Sequence, residues 1–440
     1  MPPGRYTVKS SDVKKKLFAL YLKVKHWLLR RTRDPYLMHK FRRCQKKAVQ
    51  RLKGKEKLRC VFFALNDTVW KYDYVFRRMM ADERFEPIIL VCPHTGYGFQ
   101  YMKEMMERTT AYFSGKNYPF VASYDFVTNR YVDVRKELNP DIIFYCIPYA
   151  YNIDKRYYIS RYPDKLTVYV PYAFNNSADW AICYDELLHN LVWRYYVDTE
   201  EYRKYSVPYS RCGGDNVVVT GYPGIEIFLD DSYKASMKDW KIQDDNSLKR
   251  IIWAPHHTIE DSGTIIYSCF LQYCEFMPAM ARKYADKVQF VLKPHPLLRV
   301  KLEKYWGKEK TAAYFDEWTD MPNASFTEGN YVDIFKTCDA MIHDCGSFIG
   351  ECLYLNKPVM RMMNGYPLEQ MYNGLAQRCI DNHYKAFCEK DVEDFILMVI
   401  EGKDPMLDAR TEFIRKELMP EGMPSQNIID DIVSSVYGQR

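Results

Sequence analysis

Short, unbroken apolar runs alternate with helix-like stretches through most of the chain, and this alternation restricts the fold more than any other feature. "CVFFAL" (60–65), "PIILVC" (87–92), "DIIFYCI" (141–147) and "LTVYVPY" (166–172) are apolar on successive residues rather than on every second one. Strands of that kind are buried on both faces, which requires a parallel sheet with helices above and below. Between them, the segment after Asp67 carries Tyr74, Val75, Met79 and Met80 at helical spacing, and "GYGFQYMKEMMERT" supplies a second helix. After "NVVVTGYPGIEIF" (216–228) and the polar "KDWKIQDDNSLKR", the rhythm restarts. "RIIWAPHHT", "VQFVLKPHP", "AMIHD" and "PVMRMM" read as strands; residues 266–285, "YVDIFKTCD", 389–401 and 406–418 read as helices. The expected fold is α/β, with two Rossmann-like domains facing a cleft. Their expected bounds are 59–225 and 226–420, with a basic amphipathic segment at 1–58 and a C-terminal helix or tail at 421–440.

The net charge of +6 conceals an uneven distribution, because residues 1–59 hold 20 Lys and Arg against three acids. Within that segment Val13, Leu17, Leu20, Tyr21, Val24, Trp27 and Leu28 fall at helical spacing, with lysines on the other faces. Such a helix suits the surface of an anionic membrane; packing of its apolar stripe on the next domain is the structural alternative. No apolar run reaches the ~20 residues that span a bilayer, and no small-residue cleavage site follows, so a peripheral place on the cytoplasmic face of the membrane is expected. Nothing downstream resembles a nucleic-acid module. The thirteen cysteines form no CxxC pair and no zinc-like spacing with histidine, and they read as reduced thiols.

Ligands of open α/β sheets collect beyond the carboxyl ends of the strands. Four of the nine histidines lie at such ends in the second half: His256 and His257, His295 in "LKPHP", and His343 in "AMIHD". His256, His257 and His295 are candidates for taking a proton from an attacking hydroxyl, or for neutralising phosphate when charged. Lys293 is a possible phosphate partner. In "HDCGSFIGECLYLNKP", His343 and Asp344 end a strand, Gly346 permits close backbone approach, and Ser347 opens a helix whose positive end favours an anion. Ser347 reads equally as a plain cap. Glu351 lies on the same helix face, available to ribose hydroxyls or simply exposed. Trp70, Lys71 and Tyr172 are candidates for an acceptor side. A phosphate-binding GxxxxGK[ST] loop, a dinucleotide fingerprint and a magnesium-type acidic cluster are all missing, so no metal and no cofactor is expected.

"IIWAPHHTI", "VLKPHPLL", "EGNYVDIFKTCDAMIHDCGSFIGECLYLNKPVM" and "GKDPMLDAR" together resemble the C-terminal half of the CDP-glycerol glycerophosphotransferase family, over roughly 217–420. That resemblance implies a GT-B architecture and peripheral membrane attachment. It also implies transfer of glycerol-phosphate, or another alditol-phosphate such as ribitol-phosphate, from a CDP-alditol to a glycan or lipid-linked acceptor. CMP would be released, in teichoic-acid-like or capsule polysaccharide biosynthesis. Members of that family carry His-Gly-Thr after a strand of the first domain; here the place reads "VYVPYAFNN", with Tyr172 and no histidine. His295 matches a family position. Two other readings stand beside this one. "DCGSFIGECLYLNKP" also echoes an element of UDP-sugar 2-epimerases, and the missing histidine suits a non-catalytic nucleotide-sugar-binding scaffold. The oligomeric state is not legible.

Overall fold

The computed structural model describes residues 21, 24, 25, 27–260 and 267–438. The start of the expected amphipathic helix, including Val13, Leu17 and Leu20, lies outside the described residues. Two parallel sheets form, as the unbroken apolar runs require. The first contains β1 (Leu58–Ala64), β2 (Phe85–Val91), β3 (Phe120–Ala122), β6 (Ile142–Tyr145), β7 (Leu166–Tyr169), β8 (Arg194–Val197) and β9 (Val217–Val219), while β4 (Tyr124–Asp125) and β5 (Arg130–Tyr131) make a small antiparallel ribbon. The second contains β10 (Lys249–Ala254), β11 (Val288–Leu292), β12 (Ala324–Phe326), β13 (Ala340–His343), β14 (Val359–Met362) and β15 (Tyr384–Ala386).

The strand orders are β3-β2-β1-β6-β7-β8-β9 and β12-β11-β10-β13-β14-β15, with every neighbouring pair parallel. Counted within each sheet, both begin 3-2-1-4-5-6, the doubly wound order whose direction of progression reverses beside the first strand. In the second sheet that reversal falls between β10 and β13, so the loops after those two strands part and leave a crevice. The architecture is a two-domain Rossmann-like α/β arrangement of the GT-B kind.

Each sheet is closed by aromatic packing. Phe62 of β1 stacks on Phe144 of β6 at 4.1 Å between centroids, and Trp253 of β10 lies parallel to Phe270 at 5.6 Å. The polar stretch between the sheets is anchored on the second by Trp240, which is fully buried and donates through Nε1 to Thr337 Oγ1 at 2.7 Å. Two elements that read as single helices are broken: 266–285 becomes Phe270–Tyr273 and Phe276–Lys283, and the stretch after Ser347 becomes Phe348–Glu351 followed by a tighter turn at Cys352–Leu355.

The helix Arg33–Leu52 docks on the first sheet through Phe41, Gln45, Ala48 and Leu52, with Gln45 Nε2 donating to the Leu191 carbonyl at 2.8 Å. The last helix, Pro424–Tyr437, also returns to the first sheet. Arg78 Nε donates to Ser425 Oγ at 2.6 Å, and Asp431 accepts from Arg194 Nε and Tyr196 OH, each at 2.8 Å. Gly221 makes this return possible, since it holds φ +81° and a Cβ there would stand 2.4–2.9 Å from Pro420 and Pro424. Among the described residues no helix is long and apolar enough to cross a membrane. All thirteen cysteines are free, and Cys388 alone among them is exposed.

Candidate active site

The crevice of the second sheet gathers three of the expected histidines. His256 and His257 follow β10, and His295 follows β11; their rings lie 4.2–5.0 Å apart between centroids. Asp344, just past β13, holds the loops in register. It is fully buried, and its carboxylate accepts from the backbone N–H of His256 at 2.5 Å and of Cys269 at 2.6 Å. Burial lifts Asp344 to about 6, against the pull of those two donors. Asp344 thus positions the cluster, and its acceptors are already occupied within the protein.

Burial lowers all three imidazoles, to about 2 for His256, about 4 for His257 and about 3 for His295. They are neutral near pH 7, so the backbone decides their tautomers. Leu297 N–H donates to His295 Nδ1 at 3.1 Å, which places the ring proton on Nε2. Thr258 Oγ1 accepts from Tyr267 N and Ser268 N, so its own proton is free to go to His256 Nδ1 at 3.0 Å. His256 then carries its proton on Nε2 as well. The ring atoms of the trio come within 4.8 Å of one another, close enough for a metal. With the Nδ1 lone pairs of His256 and His295 engaged and Nε2 protonated, however, two of the three offer N–H groups, which suit phosphate oxygens.

The positive charge for such a ligand comes from elsewhere. Arg361, in β14, is buried; its guanidinium donates to the Cys345 carbonyl at 3.3 Å and to Tyr372 OH at 2.5 Å. Lys293 is 6% exposed and, among the described residues, donates only a long bond, 3.4 Å, to the Pro294 carbonyl; burial lowers its ammonium. Arg361 escaped the sequence reading, although an arginine inside "PVMRMM" was a visible signal.

The remaining candidates separate. His343 is fully buried and sits beside His383 in the interior, 5.4 Å between ring centroids. Glu351 is neither exposed nor open to a ribose. At 3% exposure it accepts from Tyr331 OH at 2.7 Å and Tyr222 OH at 3.4 Å, and it faces Lys71 of the first domain at 3.9 Å. Burial opposes the charge on Lys71, but Glu351 and Tyr331 outweigh it and raise the ammonium above its ordinary value. Trp70 is core, edge-on to Phe62 and Phe113, with Nε1 donating to Asp73 at 3.2 Å.

Gly346 and Gly350 serve the approach of the other domain. A Cβ on Gly346 would lie 3.0 Å from Asn176 Nδ2, and one on Gly350 would lie 2.5 Å from the Phe174 ring. The loop carrying Phe174 and Asn176 is latched to the second domain by Asn373 N to the Asn176 carbonyl (2.9 Å) and Ala178 N to the Met371 carbonyl (3.1 Å). Beneath it is a cavity of about 160 Å³. Tyr149, Tyr172, Asn175 and His189 of the first domain line it together with Ser347 of the second. Tyr172 and Ser347 are therefore brought to one space, with Tyr149 OH 3.5 Å from Tyr172 OH. Burial pushes His189 down to about 3, and its Nδ1 has no partner among the described residues.

No family model and no curated protein matches the sequence. Solved structures do match in fold. UDP-GlcNAc 2-epimerase from Neisseria meningitidis bound to UDP-GlcNAc is 14% identical, with TM-score 0.54 over 86% of this chain and 100% of that one. S. aureus MnaA, in a co-structure with UDP, is 14% identical with TM-score 0.52, over 87% and 98%. A putative UDP-N-acetylglucosamine 2-epimerase from Listeria monocytogenes is 12% identical with TM-score 0.51, over 86% and 96%. At this identity the likeness establishes the fold. It also overturns the expected kinship with CDP-glycerol glycerophosphotransferases, and with it the CDP-alditol donor, the transferase activity and the teichoic-acid or capsule setting. Of the motifs that suggested that family, "APHH", "KPHP" and "HDCGS" lie at the carboxyl ends of β10, β11 and β13, and "LNKP" lies in the turn that enters β14.

Proposed function

We propose that the protein is a nucleotide-sugar enzyme of the UDP-sugar 2-epimerase kind, binding the diphosphate in the β10–β13 crevice and the sugar toward the interdomain cavity. The observation that carries this reading is the convergence of His256, His257, His295, Lys293 and Arg361 at the reversal point of a 3-2-1-4-5-6 sheet. Neutral Nε2–H groups hydrogen-bond the phosphate oxygens while Arg361 and Lys293 supply charge.

Inversion at C2 requires the C2–H bond to break. With a diphosphate on C1, the electron pair forms a C1=C2 bond as the C1–O bond breaks and UDP leaves. The reverse addition from the other face of C2 completes inversion. The proton acceptor must lie beside the diphosphate. His257 fits through Nε2: its Nδ1 is sealed from solvent with no partner among the described residues, and with the proton on Nδ1 the ring keeps its lone pair on Nε2. A bound diphosphate raises its basicity, because an adjacent negative charge favours the imidazolium.

The test is incubation with UDP-GlcNAc in D2O, followed by NMR. Deuterium at C2 and a second, C2-inverted sugar are expected, with CDP-glycerol left unchanged. No deuterium uptake and no UDP release overturns the enzyme assignment. One observation favours a second reading, a non-catalytic nucleotide-sugar binder: among the described residues no carboxylate lines the interdomain cavity. UDP-GlcNAc binding without any exchange at C2 selects that reading.

A further inference from the structure

Behind the diphosphate crevice lies a second group of ligating side chains that the proposed chemistry does not use. His343 ends β13, Cys352 begins the turn after Phe348–Glu351, and His383 immediately precedes β15. Their exposures are 0%, 0% and 2%, and one nitrogen or sulfur of each lies within 4.8 Å of the others. The hydrogen bonds around them run opposite to those of the His256 cluster. His343 Nδ1 faces the Cys345 carbonyl at 3.2 Å, and His383 Nδ1 faces the Cys379 carbonyl at 2.7 Å. A carbonyl only accepts, so both Nδ1 atoms carry the proton and both Nε2 atoms present a lone pair.

Both lone pairs lie in reach of Cys352. Its thiol donates to the Phe348 carbonyl at 2.6 Å, His383 Nε2 is 3.4 Å from Cys352 Sγ, and His343 Nε2 is buried with no partner among the described residues. An orphaned acceptor in a dry interior is costly and needs an explanation. An Nδ1–H fixed on a carbonyl, with Nε2 turned inward, is the arrangement that orients metal-ligating histidines. The 3.4 Å separation also matches the edge of a tetrahedral site, about 3.5 Å for Zn–S near 2.3 Å and Zn–N near 2.05 Å.

We propose that His343, Cys352 and His383 form a structural site for a soft transition cation of the zinc or cuprous type, bound through two Nε2 atoms and one thiolate. Binding releases to solvent the Cys352 proton, which the Phe348 carbonyl otherwise accepts, and leaves both imidazoles neutral with their protons on Nδ1. One thiolate with two imidazoles excludes magnesium and calcium, which take oxygen ligands. The ion would tie β13, the Cys352 turn and the entry to β15 together beneath the loop that carries Gly346 and Ser347. The sequence spacing concealed the site: the three ligands are 9 and 31 residues apart and meet only when β13, β14 and β15 pair.

The test uses the full chain produced in zinc-supplemented medium, dialysed, and assayed for metal by mass spectrometry. About one equivalent of zinc is expected, with a thermal midpoint that falls when a strong chelator strips the ion and recovers when Zn²⁺ is returned. Cobalt substitution should give a sulfur-to-cobalt charge-transfer band, which reports a thiolate ligand, and its loss in Cys352→Ser assigns that ligand. Cys352→Ser and His383→Gln should lower Zn²⁺ affinity at least a hundredfold, whereas His257→Gln should leave it unchanged. No retained metal, or no sulfur-to-cobalt band on the wild-type chain, overturns the site. Loss of metal in His257→Gln with retention in Cys352→Ser places the ion in the other cluster and overturns it equally.

Discussion

Lys71 and Glu351 meet across the interdomain junction at 3.9 Å, each drawn from a different domain and each largely sealed from water. Tyr331 OH connects them, accepting from Lys71 Nζ at 3.0 Å and donating to Glu351 Oε2 at 2.7 Å. Removing one partner of a buried pair leaves the other charge uncompensated, at about 3 kcal/mol. Lys71→Met and Glu351→Gln should each destabilise the protein by about that amount in urea unfolding. The double variant should cost clearly less than the two losses combined, because no orphaned charge remains. Additive losses would show that the two residues act independently.

The latch loop makes a steric prediction. A methyl group at Gly350 would stand 2.5–2.6 Å from three atoms of the buried Phe174 ring, whereas one at Gly346 would stand 3.0 Å from the end of the Asn176 amide. Gly350→Ala should cost about 1–3 kcal/mol as overpacking, with Gly346→Ala costing less. Adding Phe174→Leu to Gly350→Ala should restore part of the loss. Denaturant melts of the three variants check the order.

Arg361 is expected to be the main charge on a bound diphosphate. Charge-assisted hydrogen bonds are worth about 1.5–3 kcal/mol, so Arg361→Met should weaken UDP binding by roughly 10–100-fold. Arg361→Lys should recover only part, lacking the planar fork. Calorimetric titration with UDP measures both. Unchanged affinity would remove Arg361 from the ligand site.

Asp198, just past β8, gives stability an unusual pH dependence. Both of its carboxylate oxygens are buried without partners among the described residues, and burial, with the Glu351 charge adding to it, raises the group to about 8. The unfolded chain releases this proton near 3.8. Between those values the native state holds the extra proton, so its contribution is intact below pH 4 and lost as pH rises through 8. Asp198→Asn should therefore be stabilising, by about 1.4 kcal/mol more for each pH unit climbed through that window. Urea melts at pH 5, 7 and 9 would show the widening gap.

The outer face of the helix Arg33–Leu52 exposes Lys40, Arg43, Lys46 and Lys47, which have no ion-pair partner among the described residues, and the preceding turns expose Val24, Trp27 and Leu28. The full chain should sediment with vesicles containing anionic phospholipid and leave them as salt rises. Lys40→Gln, Arg43→Gln and Lys47→Gln combined should weaken this about a hundredfold, at about 1 kcal/mol per charge. Equal sedimentation with neutral vesicles would refute a charge-driven surface.

The fold was legible because its strands are buried on both faces, as in "CVFFAL" and "PIILVC"; a periodicity of one is hard to mistake. The strand Arg194–Val197, as long as Ile142–Tyr145 and Leu166–Tyr169, was not, because "RYYV" opens on a charge and has no aliphatic run. The His256–His257–His295 cluster was legible from topology, since strand ends of one parallel sheet share an edge. Roles were less so. Glu351 and Gly346 owe theirs to the other domain, to Lys71 and Asn176, and no local spacing carries that information. The family assignment failed for a related reason: "APHH" and "KPHP" report how two strands of this sheet end, and "LNKP" how a third is entered, more than which sugar nucleotide the sheet holds.

The helix Pro424–Tyr437 lies on the first sheet although almost two hundred residues of the second domain precede it. During synthesis, then, the second domain has its whole chain available before the first has its final covering helix. Arg194 and Tyr196 wait for Asp431, and Arg78 waits for Ser425. Domains fold as units while the ribosome delivers them at about 5–20 residues per second. The earlier-made sheet therefore spends on the order of ten seconds or more with one flank bare.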